Sequence, residues 1–182
     1  MAWSGGPFAA GPGRQCLILL GGEQSEYFCI AILISDLHPF FMRQHSLRRP
    51  DTTEYCSVEF DAANNWLLVT WKGFVTAQDG ERGAEETLRM LELTHVHYLL
   101  NDNSLVTGPW FDSVEWLERV WAPQAERLGL RCVAHVMQSD ANAELAAAAD
   151  HDPFAGRFDL QIFSALPEAR QWLLECQDAH AA

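Results

Sequence analysis

Glu54-Tyr55-Cys56-Ser57-Val58-Glu59-Phe60, then Asp61-Ala62-Ala63-Asn64-Asn65, then Trp66-Leu67-Leu68-Val69-Thr70-Trp71-Lys72: this stretch decides how the chain folds. Cys56, Val58 and Phe60 alternate onto one face, and β-branched and aromatic residues fill the second run, so both segments read as strands. Asp and Asn crowd the five residues between them, where their side chains close onto the backbone and support a tight reversal. The result is an antiparallel hairpin. Thr76 and Asp79 come next with capping-box spacing, in which the threonine accepts from an early helical N–H and the acid answers the cap's own N–H. Ala84, Leu88 and Leu91 then mark one face of a helix that ends near Thr94.

Further along the chain, strand and helix alternate. Val96 to Asn103 reads as a mostly apolar strand, Asp112 to Leu128 as a helix and Leu130 to Met137 as a buried strand. Val114, Leu117, Trp121, Ala125 and Leu128 give the second helix its stripe. Pro123 removes a donor inside it and crowds the carbonyl of Arg119, which predicts a kink or break near Ala122. Ala141 to Ala149 is a short alanine-rich helix, and Asp150, His151, Asp152, Pro153 and Gly156 form a loop. Asp159 to Phe163 is the last strand. Ser164 is the expected cap of a final helix with Ala169, Trp172, Leu173 and Cys176 on its inner face. The expected order is ββαβαβαβα, an α/β (α+β) domain with a mixed sheet and no internal repeat.

Charge divides the chain before Asp51. Residues 1–50 hold four arginines and three acids, for +1, whereas residues 51–182 hold eight basic and 22 acidic side chains, for −14. The first 50 residues are rich in Gly and Pro and carry two short apolar runs, Cys16 to Leu20 and Phe28 to Ile34. They are read as a poorly ordered extension, whose second run would at most add an edge strand, or as a segment upstream of a natural start at Met42. The domain is assigned to residues 51–182. With a net charge of −13 and a single lysine, Lys72, the chain has no basic cluster for nucleic acid or an anionic membrane. Phe28 to Ile34 is far too short to span a bilayer. Five scattered cysteines without a CxxC pair suit a reduced thiol set, and the expected location is the cytoplasm.

Trp71-Lys72-Gly73 closing the second strand, Asn101-Asp102-Asn103 at the end of the third, Trp116 to Pro123, and Ala169-x-x-Trp172-Leu173 together resemble the SpoIIAA-like proteins, small bacterial domains related to the STAS fold of anti-sigma-factor antagonists. The likeness covers about residues 54–177. It implies four or five strands, helices mainly on one face, and a regulatory, non-catalytic binding role. In the antagonists a serine at the start of the second helix is phosphorylated. The matching positions here are Asp112 and Ser113, while Val114 and Glu115 depart from the antagonists' motif. Asp112 and Glu115 also suffice as a helix N-cap and a first-turn acid that complement the helix dipole.

The candidate binding residues are Asn101, Asp102, Asn103 and Ser104, four hydrogen-bonding side chains where a strand runs out, the edge at which α/β sheets place ligands. Turn chemistry is the competing account of the same residues. Trp116 and Trp121, five residues apart, cannot share a face of a regular α-helix, so one of them is expected to point away from the core toward a partner or dimer surface. His95 and His97 lack a third ligand with suitable spacing, and no metal or other cofactor is expected. His135 lies in an apolar run and reads as a hydrogen-bonded core histidine. No nucleophile with its base stands out, so an enzyme ranks third. A regulatory protein-binding domain ranks first, and a carrier of a small apolar ligand, as in CRAL-TRIO domains, ranks second.

Overall fold

The computed structural model describes residues 16–18, 31–33, 44–107, 114–137, 154 and 156–181. Two compact units divide the chain, Met1–Met42 and Arg43–Ala182. In the first, Cys16–Ile18 (β1) and Ala31–Leu33 (β2) pair antiparallel with Cys16 opposite Leu33. The two apolar runs of the N-terminal segment thus supply strands for each other.

The second unit is built on a six-stranded sheet whose spatial order follows the chain. Its strands are Gln44–Arg48 (β3), Glu54–Asp61 (β4), Trp66–Gly73 (β5), Tyr98–Val106 (β6), Cys132–Val136 (β7) and Asp159–Phe163 (β8). The first three run antiparallel as a meander, and β5 through β8 are parallel. The β4–β5 hairpin is the one expected: Asp61 Oδ1 accepts the N–H groups of Ala63 and Asn64, and Asn65 takes a left-handed φ of 54° to complete the reversal.

Six strands exceed the four or five expected, and the extra one, β3, lies in the stretch read as extension. Leu47 packs against the core. Arg48 reaches Glu54 at 2.7 Å, and Arg49 holds Asp79 at 2.7 Å while donating to the carbonyl of Phe74. The charge step before Asp51 therefore does not mark the edge of the fold. Arg48 and Arg49 are the counter-ions of acids beyond that step, and over residues 43–182 eleven basic side chains face 22 acids, for −11.

Ala77–Thr94 (α1) carries the predicted capping box: Thr76 Oγ1 accepts from Asp79 N at 3.2 Å, and the Asp79 carboxylate answers the Thr76 N–H at 3.2 Å. His95 closes the helix in a left-handed conformation and donates its N–H to Leu91 O. The second helical segment, α2, is α-helical at Val114–Trp116, π-helical over Leu117–Trp121 and α-helical again at Ala122–Arg127. Pro123 does not break it. The helix widens one turn ahead of the proline, so that Ala122 N–H bonds Leu117 O, five residues back. Leu166–Ala181 (α3) is the last element, starting two residues after Ser164.

The parallel strands advance in one direction across the sheet, and right-handed crossovers then place their connections on one face. Consistent with this, Trp71, Val69, Leu99 and Val133 share a core with Met90 and Leu91 of α1, Trp121 and Ala125 of α2, and Phe158. On the other face Trp66, Leu100, Ala134 and Phe163 are covered by Ala169 and Leu173 of α3. Among the described residues, two helices thus cover one face and one covers the other, which is why Tyr98-Leu99-Leu100 is apolar on both sides. The expected helix at residues 141–149 and the loop at residues 150–153 lie outside the described residues.

Candidate functional site

A polar knot interrupts the larger core in the middle of β6, beside the carboxyl-terminal halves of β5 and β7. Asn101 and His135 are paired residues of adjacent parallel strands. The Asn101 amide donates to His135 Nδ1 at 2.8 Å, and Asn101 Oδ1 accepts from Trp71 Nε1 at 2.8 Å. Two residues on, the Asn103 amide lies 3.1 Å from His135 Nε2, and Met137 Sδ is also 3.1 Å from that nitrogen. The register between β5 and β6 slips here, Thr70 facing Asp102 but Lys72 facing Leu105. Such a bulge re-aims side chains at the end of a strand.

Burial pushes the His135 imidazolium pKa down to about 4, against a smaller opposing effect of the Asp102 charge. The ring is therefore neutral at physiological pH; with Nδ1 accepting from Asn101, Nε2 carries the proton and has Met137 Sδ, not the Asn103 amide nitrogen, as its acceptor. The bond from Asn101 to Nδ1 gives the ring a structural task, tying β6 to β7, as expected for a core histidine.

The four residues read as one binding row take different roles. Asn101 and Asn103 join the His135 knot. Asp102 is buried and accepts the N–H of Ser104 at 2.9 Å, the turn chemistry anticipated as its alternative. Ser104 is exposed. What sequence reasoning missed is the knot itself, since Asn101 and His135 are far apart in the chain, and Trp71 as its third arm. The available signal was positional: Asn101 and His135 each stand fourth in strands that pair in parallel.

The two tryptophans of α2 do not point apart. In an α-helix, residues five apart would diverge by about 140°. The π-turn between Trp116 and Trp121 puts more residues into the turn and reduces that angle, so that both rings reach one core. Trp121 is 6% exposed, packs edge-on to Phe154 and Phe158 and donates Nε1–H to Ala84 O at 2.9 Å. Trp116 rests half-buried against the same core. Beyond it opens a groove of about 520 Å³ between α1 and α2, with Leu88, Trp116, Val120 and Leu128 among its apolar lining and Glu85, Glu92 and Arg127 among its charged lining. Its Arg89 is already bonded to Glu86, which also reaches His45 of β3 at 2.8 Å.

His95 caps α1 through its backbone, and the His97 imidazole lies 2.7 Å from the carbonyl oxygen of Gly129, so the two histidines serve separate elements. Among the described residues no three His, Cys, Asp or Glu side chains gather as a metal site. Cys56 and Cys132 are buried and free, and burial raises both thiols, Cys132 to about 12, leaving them poor nucleophiles. Asp112 and Ser113 lie outside the described residues. Among the described residues no helix is long and apolar enough to cross a membrane. No family model, no curated protein and no solved structure matches the chain.

Proposed function

We propose that residues 43–182 form a non-catalytic, regulatory domain of SpoIIAA-like, STAS-related type that binds a protein partner along the α1/α2 face. The groove between those helices carries the reading. It pairs an apolar floor, with Trp116 as a half-buried anchor, with a charged rim, the composition of a specific protein-binding surface. The mixed sheet and the run of strand and helix after β4 are in keeping with the resemblance. A cytoplasmic location suits the free thiols Cys56, Cys132 and Cys176.

Carriage of a small apolar ligand is the less favoured reading, because Trp66, Trp71 and Trp121 fill the two cores. Native mass spectrometry of the protein gently purified from its own cells separates the two. A bound polypeptide is expected, and a lipid-sized mass carried in its place would overturn the reading.

A further inference from the structure

We propose that the α1/α2 groove receives a basic amphipathic helix of another protein, its apolar face on Leu88, Trp116 and Val120 and its cationic flank along α1. The proposal rests on the reading of this face as a protein-binding surface and adds the chemistry of the partner. Glu85, Leu88 and Glu92 stand three and four residues apart, so all three lie on one side of α1 over two turns, roughly 10 Å. A partner helix with anchors at the same intervals matches that pitch side chain for side chain.

Charge sets the sign of the partner. Glu85 and Glu92 are exposed, and neither forms an ion pair among the described residues. Arg89, between them on the helix, is neutralised by Glu86. The α1 rim therefore presents two uncompensated carboxylates flanking an apolar step. Arg127 stands in the last turn of α2, so the two rims differ in sign and a cationic flank is directed to α1. The surplus of acids over residues 43–182, −11 in net charge, steers a basic partner toward the domain from a distance.

The test uses the full-length chain and two fluorescently labelled synthetic helices with identical leucine faces, one flanked by lysines and its twin by glutamates, followed by anisotropy at low and high salt. The lysine peptide is expected to bind, with affinity falling as salt rises, and the glutamate twin to bind at least about tenfold more weakly. The double variant E85Q/E92Q, both positions exposed and its fold checked by circular dichroism, should weaken the lysine peptide roughly three- to tenfold without weakening its twin. Equal binding of the two peptides, no binding of the lysine peptide, or an unchanged E85Q/E92Q affinity would overturn the proposal. The underlying reading fails separately. If a native polypeptide is captured at this face while the lysine peptide does not bind, only the partner's chemistry is wrong. If no polypeptide is captured there, the protein-binding role falls as well.

Discussion

Replacing Gly83 by alanine sets two local rules against each other at the point where α1 meets the sheet. Alanine is favoured over glycine inside a helix by up to about 1 kcal/mol, so the helix alone predicts a more stable protein. A Cβ at this position, however, would stand 2.2 Å from Trp71 Cη2, 2.8 Å from Cζ3 and 3.0 Å from Cζ2. The indole has little freedom to retreat. It is 4% exposed, and its N–H is fixed on Asn101, which in turn holds His135. Overpacking a filled core costs about 1–3 kcal/mol, and loosening the Trp71–Asn101 bond adds about 0.5–1.5 kcal/mol. Against the propensity gain, the net loss is about 1–3 kcal/mol, which lowers Tm by roughly 3–10 °C in a chain of this size. Urea unfolding is the assay, with the midpoint expected to fall at constant slope. In a Trp71→Phe background the smaller ring makes room, and the same Gly83→Ala change should cost much less. A Gly83→Ala protein as stable as the parent, or more so, would refute the reasoning.

Other perturbations probe the knot and the two cores. His135 has a folded-state pKa of about 4 against an ordinary value of 6.5, so the unfolded chain takes up the proton first. The stability gained from neutrality is full above pH 6.5 and is lost as pH falls toward 4. This one group should make the protein about 2 kcal/mol less stable at pH 5 than at pH 7, and His135→Gln should remove that difference from denaturation curves. Arg49→Ala strips Asp79 of its guanidinium partner and frees the carbonyl of Phe74, so a loss of about 2–3 kcal/mol is expected in urea unfolding. An unchanged midpoint would mean that β3 is not tied to α1 through this pair. Trp66 is 1% exposed yet its Nε1–H has no partner among the described residues, whereas Trp121 Nε1–H bonds Ala84 O. Trp66→Phe should therefore cost at least about 1 kcal/mol less than Trp121→Phe, and calorimetry of the two variants compares them directly.

The parts of the fold legible in the sequence are those set by neighbouring residues. The Asp61–Asn65 turn and the Thr76/Asp79 capping box come from side chains acting on backbone a few positions away, and α1 ends at Thr94 where the backbone of His95 turns left-handed. Three features depend on distant partners and were not legible. The start of the sheet was placed too late because Arg48 and Arg49 differ in charge from the acid-rich stretch after Pro50, yet that difference is what binds them to Glu54 and Asp79. Pro123 signalled an irregular helix, but whether it kinks or widens depends on whether Trp116 and Trp121 must both reach one core. Of the candidate site, the polar run Asn101 to Ser104 could be read, but not its place, because β6 continues to Val106 and keeps all four residues inside the strand. The division of labour among them could not, because it is set by the parallel register that places Asn101 beside His135.

Site-specific photocrosslinking tests the central claim most directly, that the α1/α2 face is a protein-binding surface. A photoreactive residue is placed at Val120, which is 40% exposed and lines the groove, and in a second variant at Leu174, 38% exposed on α3 over the opposite face of the sheet. Each variant is illuminated in the protein's own cells. The account predicts a discrete polypeptide adduct at Val120 and none of that mass at Leu174. The same adduct at both positions, or only lipid-sized adducts at Val120, would contradict it.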